Sequence, residues 1–371
     1  MKTTLALNTI TQGDCLEILP QIADSSIDVI FADPPYFMRT EGVLNRPEGS
    51  AFSGCDDAWD KFSDNEAYKA FSYIWLKEAK RILKPNGSIW VIGSHQCIYT
   101  IGAIMQDLGF WFINDVIWHK SNPTPNFLGT RLNNSHESLI WAAKDKKSKY
   151  TFHYKTAKEL NNEIVGFEKG QRKQLGSVWR LPVCTGNERL KDMNGEKLHN
   201  TQKPEALLYR IIAINSSLGD VVCDPFGGTC TTAAVAKRLG RNFITIEKNA
   251  DYIQYAKKRL DSIIFEESDI AKASFDKKPL KVSLETLIEA GFLESNEKLY
   301  LKNTPFCAQL QSDGKAIFEG QSYDIHTLAA KLKQAKVKRL NGFMYWEVQR
   351  KNRISLYDIR EQYRTKIKKT Y

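Results

Sequence analysis

The sequence has few of the features that mark disulfide-rich, zinc-binding or membrane proteins. Its 371 residues include seven cysteines, an odd number, and no two of them form a Cys-x-x-Cys pair. The first ten residues lack a basic segment followed by an apolar one, and no apolar run approaches the roughly 18 residues of a membrane span. No internal repeat is evident. We therefore expect a soluble, cytoplasmic protein without a bound metal.

The charge balance predicts a polyanionic partner. Lys and Arg number 53 against 43 Asp and Glu, a formal net charge of +10. Residues 278–371 contain 18 Lys and Arg but only 10 Asp and Glu, so most of the excess lies there. A localised basic surplus is typical of nucleic-acid binding. We divide the chain into a first domain at 1–265, a linker at 266–277 and a basic C-terminal domain at 278–371.

Short apolar strands alternate with helices through the first domain. Residues 26–32 and 220–223 are predicted to be buried parallel strands that run into turns. A helix at 231–239 and a strand at 242–246 complete a strand-turn-helix-strand unit. Further strands are predicted at 88–92, 111–118 and 138–142. This alternation indicates an α/β domain with a sheet of about seven strands.

Two other segments interrupt the pattern. Residues 63–66 resemble a capping box, and the helix that follows is predicted to end at 84–87, where a proline and a glycine occur. Residues 120–200 contain few periodic apolar positions. We interpret them as an insertion that carries loops.

The tetrapeptide Asp33-Pro34-Pro35-Tyr36 directly follows the first predicted strand, where open α/β sheets bind ligands. The Asp33 carboxylate and the Pro34 carbonyl can accept hydrogen bonds from an exocyclic amino group and aim its lone pair at an electrophile. The prolines stiffen the turn, and Tyr36 offers a ring for stacking. Taken alone, the same residues also fit an ordinary turn that ends a strand.

A second turn at a strand end favours the functional interpretation. Residues 224–229 have the sequence Asp-Pro-Phe-Gly-Gly-Thr, whose glycines allow a nucleoside to approach closely. Glu247 ends the next predicted strand, where an acidic residue binds ribose hydroxyls in nucleotide-binding folds. The two turns together predict a site that brings an amino group to a nucleoside cofactor.

These motifs resemble the β group of DNA amino-methyltransferases, in which the target-amine motif precedes the S-adenosylmethionine motif. Over almost the whole chain the resemblance is to the HinfI-like and cell-cycle-regulated adenine-N6 methyltransferases, which act at GANTC. It implies a Rossmann-like S-adenosylmethionine-dependent fold with permuted motifs. The domain at 1–265 would be the methyltransferase catalytic domain, with a DNA-recognition insertion at about 120–200, and the small basic domain at 278–371 would bind DNA. Besides 33–36 and 224–232, the shared runs are 13–15, 59–62, 122–127, 129–131, 136–137 and 201–204.

The resemblance also implies roles for individual residues. Residues 33–36 would hold an adenine flipped out of the duplex, and Lys203 would pair with the carboxylate of the cofactor. The residues implied to bind S-adenosylmethionine are Asp14, Ala32, His199, Thr201, Gln202, Lys203, Asp224, Phe226, Gly228, Cys230, Thr231 and Glu247. The residues implied to meet DNA are Arg39, Arg46, Trp59, Asn122, Asn126, Phe127, Arg131 and Asn133.

One departure leaves alternatives open. Cys230 stands where the family usually has glycine, so a positive φ would strain it by roughly 1 to 3 kcal/mol and weaken cofactor binding, whereas a helical φ would be harmless. A catalytically idle DNA-binding protein is one alternative. Cytosine-N4 methylation is another, although those enzymes more often have Ser before Pro-Pro-Tyr. Cytosine-C5 methylation is disfavoured because the sequence lacks the Pro-Cys pair that carries its thiolate.

The resemblance predicts duplex DNA as the partner and S-adenosylmethionine as the cofactor. It further implies a homodimer associated with the nucleoid, and a separate cognate restriction nuclease is compatible with it. Arg131 and Asn133 would either read base edges or brace the loop and contact phosphates. The expected reaction is site-specific transfer to adenine N6 by base flipping.

Overall fold

The computed structural model describes residues 5–37, 44–45, 51–52, 60–126, 129–161 and 172–368. Its contacts divide the chain into two compact units, Met1–Lys277 and Lys278–Tyr371. The prediction of a separate linker at 266–277 is wrong, because these residues lie inside the first unit. Ala271 is fully buried there, and the Asp276 carboxylate accepts hydrogen bonds from the backbone N–H groups of Lys155 and Thr156.

The first unit is built on an eight-stranded sheet. Its strands are β1 Thr9–Gln12, β2 Ile27–Ala32, β5 Leu83–Gly93, β6 Trp111–Lys120, β7 His136–Ala143, β8 Val178–Leu181, β9 Val221–Asp224 and β10 Asn242–Glu247. The spatial order is β1-β10-β9-β2-β5-β7-β6-β8. A separate two-stranded ribbon is formed by β3 Leu44–Asn45 and β4 Ala51–Phe52.

The directions of the strands determine which strand ends meet at the same edge of the sheet. The five strands β1, β10, β9, β2 and β5 are mutually parallel, and β7 runs antiparallel between β5 and β6. The carboxyl ends of the parallel strands and the amino end of β7 therefore share one edge of the sheet. The parallel pairing of β9 with β10 confirms the predicted strand-turn-helix-strand unit.

Helices cover both faces of this sheet, which explains why every residue of β2 is buried. The helices of the unit are α1 Cys15–Ile18, α2 Asn65–Ile82, α3 Ile98–Asp107, α4 Tyr154–Glu159, α5 Glu205–Asn215, α6 Thr231–Arg238 and α7 Ala250–Asp261. Their packing forms two hydrophobic clusters, one on each side of the sheet. Within the described ranges, no helix is long and apolar enough to cross a membrane.

Two local predictions differ from the structure at α2. The cap is Asp64 rather than Ser63, because the Asp64 carboxylate accepts from the backbone N–H of Ala67 at 2.8 Å. The helix ends at Ile82, and β5 begins at once, so the turn residues 84–87 lie within the strand. One face of the helix is buried, and Trp75 lies near its centre.

The predicted insertion 120–200 contains more regular structure than expected. It includes β7 and α4, and β8 extends the sheet to eight strands. Strand β8 has only four residues, but Trp179 is buried and packs 5.7 Å from the ring of Trp90 in the central strand β5. Strand β8 is thus part of the core, and the irregular parts of this region are the segments between these elements.

The second unit is an antiparallel sheet packed on helices. Its strands are β11 Lys298–Leu301, β12 Cys307–Leu310, β13 Ala316–Phe318, β14 Gln321–Tyr323, β15 Trp346–Gln349 and β16 Arg353–Ser355, in the order β14-β13-β12-β11-β15-β16. Its helices are α8 Leu284–Glu289, α9 Ile325–Leu332, α10 Gly342–Tyr345 and α11 Leu356–Lys368. Trp346 is fully buried in its core and donates its indole N–H to the Ile325 carbonyl at 2.9 Å.

Candidate active site at the carboxyl ends of the parallel strands

A cavity of about 450 Å³ opens at the carboxyl ends of β1, β10, β9 and β2, which are neighbours in the sheet. These strands bring Asp14, Glu247, Asp224 and Asp33 to the cavity wall. The chain continues from β2 toward β5 on one side, whereas β9 and β10 lie on the other. The cavity therefore occupies the switch point at which open α/β sheets bind ligands.

The turn 33–36 lines the cavity and is held from two directions. The Tyr68 hydroxyl donates a hydrogen bond to the Pro35 carbonyl at 2.9 Å. The backbone N–H of Phe37 donates to the Asp60 carboxylate at 2.7 Å. Because the prolines also fix their own φ angles, the turn is a stiff part of the wall.

The two oxygens of the Asp33 carboxylate differ in their partners. Oδ2 accepts from the ammonium group of Lys203 at 2.7 Å. Oδ1 is buried and has no hydrogen-bond partner among the described residues. A buried acceptor without a donor costs free energy unless a ligand supplies one. Oδ1 is thus a ready acceptor at the end of β2.

The turn after β9 contains two glycines, one packed against β10 and the other facing His199 of the cavity wall. A Cβ at Gly227 would lie 2.4 Å from Cγ2 of Thr245, which leaves no space for a side chain. Gly228 has φ +51° and faces His199, whose Nε2 would lie 3.4 Å from an added Cβ. The backbone of the turn consequently forms part of the cavity wall without intervening side chains.

Two carboxylates border this turn, Asp224 buried and Glu247 half-buried. Glu247 accepts from the backbone N–H groups of Gly228 at 2.6 Å and Asn249 at 2.7 Å. Asp224 accepts from the backbone N–H of Phe226 at 3.0 Å. Burial raises the pKa of Glu247, and it raises the pKa of Asp224 to about 7. The cavity therefore concentrates acidic groups that favour hydroxyl, amine or cationic ligands.

A largely buried charged cluster lies next to Asp33, and two of its members, Lys120 and Glu137, are not among the predicted site residues. We call it the Lys203 cluster, made of Asp33, Tyr36, Lys120, Glu137 and Lys203. Glu137 accepts from the Tyr36 hydroxyl at 2.8 Å, pairs with Lys120 at 2.7 Å and lies 3.8 Å from the Lys203 ammonium. The only signal for Glu137 was its place in the shared run 136–137.

The charges of the cluster balance. Burial raises the pKa of Asp33, and the Lys203 ammonium opposes that effect. Burial alone would raise the pKa of Glu137 as well, but Lys203 and Lys120 outweigh it and lower the pKa of Glu137. Asp33 and Glu137 in turn overcome the burial of Lys203 and raise the pKa of its ammonium group. Two lysine ammonium groups thus face two carboxyl groups in a largely buried cluster.

The chain is similar in sequence to known DNA methyltransferases. The sequence profile of a DNA methylase family matches residues 27–258. The type II methyltransferase M.HinfI of Haemophilus influenzae is 52% identical over 358 residues, covering 96% of this chain and 97% of the relative. The chain belongs to this DNA methylase family. It is a site-specific DNA methyltransferase, and S-adenosylmethionine is its methyl donor.

Other matches support the assignment of the methyltransferase to this family. Type II methyltransferase M2.DpnII of Streptococcus pneumoniae is 39% identical over 254 residues, covering 68% of this chain and 89% of the relative. The solved PvuII DNA methyltransferase, described as cytosine-N4-specific, covers 74% of this chain and 95% of its own at 19% identity, with a TM-score of 0.52. That structure supports the Rossmann-like fold alone. Residues 266–369 match a domain described as Restriction Enzyme Adenine Methylase Associated.

The cavity of the methyltransferase fits S-adenosylmethionine. Gly228 leaves space beside His199 that a Cβ would enter, and the surrounding carboxylates suit ribose hydroxyls, an ammonium group and a sulfonium charge. Phe226 adds an apolar wall, with its ring 5.2 Å from that of Trp75. Predicted cofactor residues on the cavity wall are Asp14, His199, Thr201, Gln202, Lys203, Asp224, Phe226, Gly228, Thr231 and Glu247.

Three predicted cofactor residues have other surroundings. Ala32 is fully buried inside β2 and does not line the cavity. Cys230 has φ 57°, the strained alternative, but it is 1% exposed and packs into the hydrophobic core instead of lining the cavity. Lys203 does line the cavity, yet its ammonium group bonds Asp33 rather than pointing away toward a cofactor carboxylate.

The predicted DNA-contacting residues fall into two groups. Arg39, Arg46, Trp59 and Phe127 lie outside the described residues. Among the others, Asn122 accepts from the Val183 backbone N–H at 2.9 Å, Asn126 donates to the Arg131 carbonyl at 2.6 Å, and Arg131 donates to Asn134 at 3.0 Å. Asn133 is exposed. These contacts are made within the protein, so DNA contact by these side chains stays a prediction.

Proposed function

We propose that this methyltransferase transfers the methyl group of S-adenosylmethionine to N6 of the adenine in GANTC sites of duplex DNA. The observation that carries the proposal is the buried Oδ1 of Asp33, which has no partner among the described residues and lies in a cavity suited to the cofactor. A flipped adenine brings an amino group with two donors to that acceptor. The Pro34 carbonyl is the second acceptor.

Adenine is favoured as the target base by the identity of residue 33 and by the domain match of residues 266–369. Aspartate at position 33 is typical of the adenine enzymes that the sequence resembles, whereas serine is more common in cytosine-N4 enzymes. Residues 266–369 also match the adenine-methylase-associated domain. The GANTC site follows from the resemblance of the whole chain to the methyltransferases of that group.

The reaction requires positioning more than acid-base power. Adenine N6 lies inside the base stack, so the base must leave the duplex at a cost of roughly a few kcal/mol, which phosphate contacts and stacking on Tyr36 offset. S-adenosylmethionine supplies an electrophilic methyl group. As the N6–carbon bond forms, the carbon–sulfur bond breaks and its electron pair goes to sulfur. N6 then loses one proton to the Asp33 carboxylate, which passes it to water.

Several wider expectations belong to the same proposal. The recognition loop at 122–135 and the basic second unit contact the duplex, mainly through phosphates. The enzyme acts as a homodimer on a palindromic site, in the cytoplasm and on the nucleoid. A separate restriction nuclease that cuts the unmethylated site completes a restriction-modification pair.

Methyl transfer from labelled S-adenosylmethionine to a duplex with one GANTC site tests the proposal. Matched duplexes replace the target adenine or change one flanking base, and digestion of the product identifies the methylated base. We expect N6-methyladenine in the intact site alone. Finding N4-methylcytosine would refute adenine as the target base. Equal transfer to all duplexes would refute GANTC as the recognition site. A protein that binds no S-adenosylmethionine in calorimetry would be an idle DNA-binding module.

A further inference from the structure

The Lys203 cluster ties together parts of the chain that are far apart in sequence. Lys203 precedes α5, and Asp33 follows β2, yet their charged groups lie 2.7 Å apart. The Lys203 side chain is 7% exposed and the Glu137 side chain 12% exposed. Desolvating such charges is expensive unless each one is paired, and removing one partner leaves the other uncompensated. A cluster of this kind next to reacting atoms calls for a functional explanation.

Lys203 makes the two oxygens of Asp33 inequivalent. Its ammonium group occupies Oδ2, so Oδ1 is left as the single acceptor that a ligand can use. Lys203 also donates to the Thr201 carbonyl at 3.3 Å, and its Nζ lies 5.2 Å from the centroid of the Tyr36 ring. The lysine therefore contacts the carboxylate that accepts the amine and the ring that would stack on the base.

Glu137 holds both of these elements in place. One of its oxygens accepts from the Tyr36 hydroxyl and lies near the Lys203 ammonium, while the other pairs with Lys120. Lys120 ends β6 and Glu137 is the second residue of β7, so two paired strands carry the contact. The acceptor and the stacking ring are thus connected through one carboxylate and one ammonium group.

We propose that Lys203, held by Glu137, is a positioning residue for the target amine: it occupies Oδ2 of Asp33, keeps that carboxylate oriented, and leaves Oδ1 for an N6 hydrogen. This inference rests on the proposed amino-methylation and replaces the pairing of Lys203 with the cofactor carboxylate. With Oδ1 and the Pro34 carbonyl as the two acceptors, both N6 hydrogens have defined directions. The N6 lone pair then points toward the methyl group.

The charges around Asp33 make the proposal testable by pH. The titratable groups that face it are Lys203, Glu137, Tyr36, Cys97 and Asp224. The Lys203 ammonium stabilises the ionised carboxylate, whereas the Glu137 carboxylate disfavours it. Because Asp33 must be ionised to accept, removing Lys203 should move the acid limb of the rate profile to higher pH. Removing the Glu137 charge should move it to lower pH.

The experiment compares Lys203→Met, Lys203→Arg and Glu137→Gln in the full-length enzyme. A matched control is Lys84→Met, which removes a lysine 2.7 Å from Asp28 at the opposite end of β2. For each protein, kcat and KM for a GANTC duplex are measured from pH 5.5 to 9 at saturating S-adenosylmethionine. Calorimetry gives the Kd for the cofactor, and thermal unfolding reports on folding.

We expect Lys203→Met to lower kcat by about 100-fold, to shift the acid limb upward by about one pH unit, and to change the cofactor Kd less than about threefold. Glu137→Gln should shift the limb downward. Lys203→Arg keeps the charge, so its limb should stay in place although kcat falls. Lys84→Met should retain the limb and the kcat of the unmodified enzyme.

Two results would overturn the inference. If Lys203→Met raises the cofactor Kd more than tenfold and does not move the acid limb of the pH–rate profile, Lys203 pairs with the cofactor carboxylate instead. Limb shifts of the same sign in Lys203→Met and Glu137→Gln would reduce the cluster to a structural role. If Lys203→Met does not fold, Glu137→Gln decides alone: a downward shift of its acid limb supports the inference, and an unmoved or upward-shifted limb overturns it. An unmodified enzyme that methylates no adenine would instead refute the proposed function.

Discussion

Cys230 offers a substitution whose effect can be worked out from the structure. The residue caps α6 with φ 57° and ψ 38°, a left-handed conformation that side chains with a Cβ adopt at a cost. Its thiol is buried among the core residues of the first unit and is absent from the cavity wall. Cys230→Gly therefore changes backbone strain and core packing, and leaves the cofactor contacts alone.

The opposing contributions nearly cancel. Relief of the left-handed conformation should gain about 1.5 kcal/mol. Loss of the buried CH₂–SH group should cost about 1 kcal/mol, and the greater freedom of glycine in the unfolded chain about 0.7 kcal/mol. We expect the free energy of unfolding to change by less than about 1 kcal/mol. Cys230→Ala keeps the strain and loses the sulfur, so it should be destabilised by about 1 kcal/mol. Cys230→Val adds a branched side chain and should lose more than about 2 kcal/mol.

Thermal unfolding of the first unit ranks the three variants, and calorimetry measures their affinity for S-adenosylmethionine. The expected order of stability is the unmodified enzyme and Cys230→Gly together, then Cys230→Ala, then Cys230→Val. The cofactor Kd should change less than about threefold in Cys230→Gly, because the thiol does not reach the cavity. A loss of more than 2 kcal/mol in Cys230→Gly, or a tenfold change in its Kd, would refute this account of position 230.

Three further substitutions test the site. Asp33→Ala should abolish methyl transfer while cofactor binding by calorimetry persists, and near-normal turnover would exclude Asp33 as the acceptor. Asp224→Asn should stabilise the cofactor-free enzyme by up to about 4 kcal/mol above pH 7. Burial raises the pKa of Asp224 from 3.8 to about 7, so its stabilising protonated form is complete below pH 4 and is lost as the pH rises through 7. The melting-temperature difference should therefore vanish in acid, and a pH-independent difference would contradict the shift. Tyr68→Phe removes the 2.9 Å bond to the Pro35 carbonyl and should cost about 1 kcal/mol, with a lower kcat; an unchanged kcat would show that the turn does not need this bond.

The strands that carry the site could be predicted from sequence because they are short apolar runs followed by turns. Strands β2, β9 and β10 begin and end within one residue of the predicted positions. Strand β1 could not be predicted, since Thr-Ile-Thr-Gln has no apolar run and acquires its place only by pairing with β10. Strand β8 could not be predicted either, because its four residues are too few to show a period of two.

The site was predictable where it follows strand direction and unpredictable where it depends on long-range packing. Asp33, Asp224 and Glu247 lie at the carboxyl ends of strands that were expected to be parallel. Glu137 is the second residue of its strand, so it reaches the same edge only because β7 is antiparallel. That reversal leaves no signal in the sequence around residue 137. The composition of residues 278–371 likewise predicted a positive net charge, but it did not predict the antiparallel sheet of the second unit.

Burial and pairing with lysine do not by themselves identify a functional carboxylate, as the two aspartates of the β2 segment demonstrate. Asp28 near its start and Asp33 just after its end each lie 2.7 Å from a lysine. Asp28 also accepts from the backbone N–H of Val221, and neither of its oxygens is both buried and unsatisfied among the described residues. Asp33 keeps Oδ1 buried without a donor. Both hydrogen bonds of Asp28 use Oδ2, yet within the described part of the chain Asp28 has no oxygen that is buried without a donor, whereas Asp33 does. The buried unsatisfied oxygen therefore distinguishes Asp33 from Asp28.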